Sequence, residues 1–310
     1  MYRRDALRLM AGTAGMLHLA GNTQTPAARD IQPMTTRKIP SSGELLPVIG
    51  MGTWQTFDVD VGVDPAVRAS LEGVLREFVA LGGKLIDSSP MYGKSEEVAG
   101  ELIAKTGLRE NIFVATKVWT SGKAAGVTQM EDSLKKLKIT AAKPIELMQV
   151  HNLLDVDTHL RTLADWKREG RVRYVGVTHY TTGGYDAVAK VIAANTVDFL
   201  QINYSIGERE AEQRLLPLAR ERGIAVIINR PFAGGELIRQ LRATPLPSFA
   251  AEIDCTSWAQ LMLKFVISHP SVTCAIPATS RIEHLRDNMA AGTGRMPDEK
   301  MRARIAASVG

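Results

Sequence analysis

Short runs of apolar, β-branched residues alternate along this chain with longer amphipathic stretches, and no other feature narrows the possible folds so far. The runs cover 84–87, 112–117, 145–150, 172–177, 199–203, 225–229 and 272–277, and an opening run near 48–53 makes eight. None alternates cleanly between apolar and polar residues, which predicts parallel strands buried on both faces. Within 67–81, Val67, Leu71, Val74, Leu75, Phe78 and Val79 return at spacings of three and four, the period of a helix with one buried side. Similar patterns fill 95–106, 127–137, 158–169, 185–193, 210–222 and 281–289. Strand–helix alternation implies right-handed βαβ units. Eight of them suit an α/β fold of the (β/α)8 TIM-barrel type better than an open sheet.

Residues 37–40 and 44–47 flank Ser41-Ser42-Gly43 and read as an N-terminal β-hairpin able to plug the barrel's bottom. The longest irregular stretch, 231–257, is expected to pass over the pocket, while 258–268 and 298–307 read as additional helices outside the repeat. No Gly-x-Gly-x-x-Gly follows the first strand, and Gly50-Met51-Gly52-Thr53 leads into no immediate helix, which disfavours an open dinucleotide-binding sheet.

One barrel accommodates the 310 residues, with a core large enough to need neither disulfide nor metal. The net charge of +5 comes without a basic run interleaved with aromatics, so it favours an anionic ligand and not nucleic acid. Cys255 and Cys274 read as small apolar residues of the barrel wall. Neither Cys-x-x-Cys nor His-Glu-x-x-His occurs, and no metal is expected. The N-terminus differs from the rest: Arg3-Arg4 precedes a weakly apolar stretch from Leu9 to Ala20 and then a polar, Pro-containing linker, the order of a twin-arginine export signal. That stretch is too short and Gly-rich for a stable membrane span. Residues 1–36 are therefore expected to be a signal peptide with its linker, residues 37–310 the barrel domain, and the destination the periplasm. A cytoplasmic protein with a frayed amphipathic leader is the other reading.

Polar residues at the C-terminal ends of barrel strands converge on one mouth. Asp87, Lys117 and His151 end the second, third and fourth strands, and Tyr92 lies in the following loop SSPMYGKSE. Taken singly, each has an ordinary explanation: a turn cap, a solvated charge, a satisfied imidazole, a loop anchor. Together, at consecutive junctions, they form a set suited to reducing a carbonyl. Hydride addition leaves an alkoxide that needs a proton, which a phenol can donate, and a nearby ammonium lowers the phenol's pKa towards the working range. Asp87 would hold Lys117 charged, and His151 with Tyr92 would make an oxyanion site.

The segments GGKLIDSSPMYGKSE, IFVATKV and IELMQVHN resemble the three core signatures of the aldo-keto reductase family, in the family's order, within a similarity running from about Gly50 to Asn288. The resemblance implies a (β/α)8 barrel reducing aldehydes or ketones with NAD(P)H, as a monomer, through Asp87, Tyr92 as acid/base, Lys117 and His151. It places Gly52 and Thr53 by the nicotinamide, Gln201 and Thr178 on its carboxamide, and Trp54, Trp119 and Asn152 around the substrate. Three departures stand out: His179 replaces a usual asparagine, Asn229 replaces a usual stacking aromatic, and Arg230, before Pro231, replaces a small residue. Ser280 and Arg281 remain to meet a 2′-phosphate, and Asp287 and Asn288 match adenine contacts, so NADP(H) is expected over NAD(H). A nucleotide-binding redox sensor of the same fold, with incidental turnover, is the rival function. Hydrolase or isomerase chemistry is disfavoured because paired acidic residues at strand ends are lacking.

Overall fold

Ser41-Ser42-Gly43 turns the chain back on itself, pairing β1 (Thr36–Lys38) antiparallel with β2 (Leu45–Pro47). The computed structural model describes residues 33–60 and 64–309, so the leader expected over residues 1–36 lies outside the described residues apart from its last four positions. Eight parallel strands follow: β3 (Met51–Gly52), β4 (Leu85–Asp87), β5 (Phe113–Val118), β6 (Ile145–His151), β7 (Val172–Thr178), β8 (Phe199–Asn203), β9 (Ala225–Asn229) and β10 (Cys274–Ala275). They are hydrogen-bonded in chain order. Bridges from Ile49 to Ala275 and from Gly52 to Ala278 bring the first strand beside the last and close the barrel. At that seam Gly50 N donates to Ala275 O at 2.8 Å and Ala275 N to Val48 O at 2.9 Å. The outermost two strands are shorter than their apolar runs, the remainder of each run pairing only through such isolated bridges.

Helices α1 (Pro65–Ala80), α2 (Ser95–Thr106), α3 (Lys123–Lys136), α4 (Val156–Arg168), α5 (Tyr185–Ala194) and α6 (Leu215–Glu221) each follow a strand. The Asp64 carboxylate accepts from Ala66 N and Val67 N and so starts α1. Where one helix was expected over 210–222, a 3-10 turn at Glu210–Glu212 precedes α6, because Arg214 at φ −142° leaves helical geometry. The stretch 231–257 is less irregular than its composition implies, since it contains α7 (Glu236–Leu241). After it come α8 (Trp258–Ile267), α9 (Ile282–Ala290) and α10 (Glu299–Ala307). Expected outside the repeat, α8 in fact packs on β10 and α9 and fills a place in the outer ring; α7 and α10 are the additions.

Two apolar cores result. One lies between strands and helices. The other fills the barrel's lower half, where Phe113, Tyr174 and Phe199 pack with centroids 5.5–5.9 Å apart. Ile39 and Leu46 of the hairpin are buried in this second core. Along each strand every second residue faces inward, and the inward series turns polar towards the C-terminal end: Leu85 then Asp87; Phe113, Ala115, Lys117; Leu147, Gln149, His151; Phe199, Gln201, Asn203. The barrel is thus apolar below and polar above. Leu46→Ala should open a cavity in the plug and lower unfolding free energy by about 2–5 kcal/mol in denaturant titrations. A loss below about 0.5 kcal/mol would show that the hairpin contributes no seal.

Candidate active site

An ammonium inside a barrel is expensive to desolvate unless its partners replace water. Lys117, fully buried, donates from Nζ to Asp87 Oδ2 at 2.6 Å and to Ser88 O at 2.7 Å. The other Asp87 oxygen accepts from Gln201 Nε2 at 2.8 Å and Gln149 Nε2 at 3.2 Å. Burial works to lower the Lys117 pKa, but Asp87 and Tyr92 outweigh it and hold the ammonium above its ordinary range.

Tyr92 stands over this pair, its ring centroid 5.1 Å from Lys117 Nζ and 6.0 Å from the His151 ring, which it meets edge-on. All four expected residues therefore share one rim. The expected depression of the phenol's pKa is not what the surroundings produce. Burial pushes it up, Lys117 pulls it down, and Asp87 pushes it up again, with a net rise above 10. A phenol held this way keeps its proton at neutral pH. His151 is pushed down to about 3, first by burial and then by Lys117 and His179, so its ring is neutral. Ser89 Oγ lies 3.1 Å from His151 Nδ1 and accepts from Met91 N at 3.4 Å. His151 Nε2 makes no hydrogen bond to protein among the described residues.

The other expected residues are less uniform. Thr53 is buried, its Oγ1 at 3.0 Å from both Asp87 O and Ser88 Oγ. Gly52 sits where a Cβ would lie 3.0 Å from Ile276 O, at the barrel seam. Thr178 Oγ1 donates to Gln201 Oε1 at 3.2 Å. The His179 ring lies nearly parallel to Tyr180 and against Gly184, and its carbonyl accepts from Asn229 Nδ2 at 3.1 Å. Arg230, at φ +49°, makes no ion pair among the described residues, and its buried Nε has no partner. Pro231 follows it, buried. Ser280 and Arg281 are exposed beside the start of α9, whose first turn has no side-chain cap. Asp287 is already engaged, accepting from Ser257 Oγ at 2.8 Å and Gln260 Nε2 at 2.7 Å, and Asn288 is buried. Trp54 and Trp119 are exposed in the loops after β3 and β5; Trp119 lies 6.4 Å from His151, and Asn152 follows it at φ +52°. Sequence reasoning missed Gln149, Ser88 and Ser89. Gln149 lies two residues before His151, the spacing that puts both on the inward face.

The sequence profile of the Aldo/keto reductase family matches residues 48–307. Methylglyoxal reductase YeaE of Escherichia coli K12 is 30% identical over 263 residues, covering 83% of this chain and 89% of its own. Aldo-keto reductase str7 of Strobilurus tenacellus is 25% identical over 312 residues, covering 87% and 91%. The structure of a Klebsiella pneumoniae aldo-keto reductase in complex with NADPH superposes with a TM-score of 0.71 at 26% identity, over 89% of this chain and 96% of that one. Barrel and mouth together define a TIM-barrel oxidoreductase. The chain belongs to the aldo/keto reductase family.

The His151 environment has a consequence for stability. Between pH 6.5 and about 3 the unfolded chain binds a proton at this imidazole that the folded chain refuses. Its contribution is complete above pH 6.5 and is lost as pH falls towards 3. His151→Gln should flatten the fall in thermal stability between neutral and mildly acidic pH; identical slopes in the two proteins would rule out a ring held neutral.

Proposed function

We propose that the protein is an NADPH-dependent reductase of aldehydes or ketones, with Tyr92 as proton donor. The observation that carries this reading is the buried Lys117–Asp87 pair beneath a protonated phenol and a neutral imidazole. The NADPH-bound Klebsiella structure supports the choice of cofactor, and the name of the Escherichia coli relative supports a small carbonyl substrate.

The residues present fit a dinucleotide phosphate. The uncapped start of α9 offers free N–H groups beside Ser280 and Arg281, the arrangement a phosphate needs. Arg230 is a cation without an anion among the described residues, suited to the diphosphate. Gln201, Thr178, His179 and Asn229 lie together at the mouth ends of β7, β8 and β9 for the nicotinamide. When bound, the reduced nicotinamide supplies the hydride. The Tyr92 O–H gives its proton to the substrate oxygen as charge develops there, and His151 Nε2–H steadies that oxygen. Lys117 stabilises the phenolate left behind, and Asp87, oriented by two glutamine amides, keeps Lys117 charged.

Tyr92→Phe should lower kcat by about 10²–10⁴-fold with NADPH binding, followed by fluorescence, unchanged; an active variant would refute the acid assignment. Turnover absent across a broad panel of carbonyls, despite tight nucleotide binding, would favour the sensor reading. Arg281→Ala should raise the KM for NADPH by roughly 10-fold and leave that for NADH alone. The Arg3-Arg4 leader supports export to the periplasm. Cell fractionation of the native chain and of an Arg3→Lys/Arg4→Lys variant tests this, since only the native chain should reach the periplasm.

A further inference from the structure

Trp119 is 41% exposed, so packing of its indole does not hold it in place. Its backbone is held instead. Trp119 N–H donates to Gln129 Oε1 at 2.6 Å, and Gln129 Nε2 donates back to Trp119 O at 3.2 Å. One carboxamide on α3 thus occupies both polar groups of a single loop residue, as a neighbouring strand would. The next residues are fixed from α4 and its approach. His159 Nε2 donates to Thr120 O at 2.7 Å, and Gly122 N donates to Asp155 Oδ2 at 2.7 Å. Both anchors depend on special local geometry. Gly126 leaves the room His159 needs, since a Cβ there would lie 2.4 Å from the ring. Asp155 reaches Gly122 from a run in which Asn152, Leu153 and Asp155 all have positive φ, directly after His151. Three positive-φ residues within four positions store strain that the surroundings must offset.

A loop at a barrel mouth is ordinarily free to shift. Here the external bonds from α3 and α4 hold it, and the outcome is a tryptophan ring set 6.4 Å from His151. We propose that Gln129 is a positioning residue: it acts through Trp119, fixing the ring that bounds the substrate entrance and so favouring carbonyl compounds with a flat aromatic substituent. This rests on the reading of Trp119 as part of the substrate pocket. Gln129 touches neither substrate nor reacting atoms. A displaced ring therefore costs binding of substrates that lie against it, and leaves the proton donor and the nucleotide site as they were.

The test compares benzaldehyde with propanal in the full-length enzyme, its Gln129→Ala, Gln129→Glu and Trp119→Ala variants, and the double variant Trp119→Ala/Gln129→Ala. Gln129→Ala should raise the KM for benzaldehyde on the order of 10-fold. It should leave kcat, the KM for propanal and the Kd for NADPH within about twofold. Gln129→Glu, which keeps the acceptor but sets a second oxygen against Trp119 O, should shift the benzaldehyde KM in the same direction. In the Trp119→Ala background the effect should vanish, which a general structural role of Gln129 would not produce. Equal losses on both aldehydes, or an undiminished loss without the indole, would overturn the proposal. Lost discrimination in Trp119→Ala but not in Gln129→Ala would overturn the positioning role alone. Unchanged discrimination in both would instead overturn the placement of Trp119 in the pocket.

Discussion

A fully buried ammonium is the constraint around which the upper barrel is arranged. Lys117 cannot be neutralised cheaply beside Asp87, nor left unpaired, so its immediate partners are all engaged. Asp87 takes one hydrogen bond from it and Ser88 O another; Gln149 and Gln201 saturate the remaining carboxylate oxygen. Thr53, from the first strand, then closes over Asp87 O and Ser88 Oγ. Five strands contribute to a single network whose centre is one salt bridge.

The same charge sets the character of its neighbours. It helps keep His151 neutral, and its pull on the Tyr92 proton is countered by burial and by Asp87. Tyr92 thereby keeps its proton and the His151 ring stays neutral. The expectation of a lowered phenol pKa weighed the ammonium alone; burial of the Tyr92 ring, with Asp87 adding to it, outweighs that pull.

Most of the architecture was legible beforehand. Periodicity located every strand within two residues except the first, which begins at Met51 and not at 48, and the ordering of Asp87, Tyr92, Lys117 and His151 along successive junctions pointed to one rim. What escaped notice has physical reasons. Gln149 sits within an apolar run and draws no notice until alternate residues are separated, when its face proves to be that of His151. The short helix α7 is built of good helix formers, but the Gly and Pro residues on either side masked it. Asp287 was singled out by position, and that Ser257 and Gln260 donate to its oxygens is something only tertiary contact reveals. Conversely, the departures at Asn229 and His179 turn out to be joined, the amide of one bonded to the carbonyl of the other.

The aromatic plug beneath the mouth has a kinetic side. With Phe113, Tyr174 and Phe199 packed under Lys117 and the hairpin sealed below them, the described barrel is stoppered at its lower end. On the proposed reading, reactant, product and nucleotide would then share the upper rim, and the loops carrying Trp54, Trp119 and Arg230 would set the order in which they come and go.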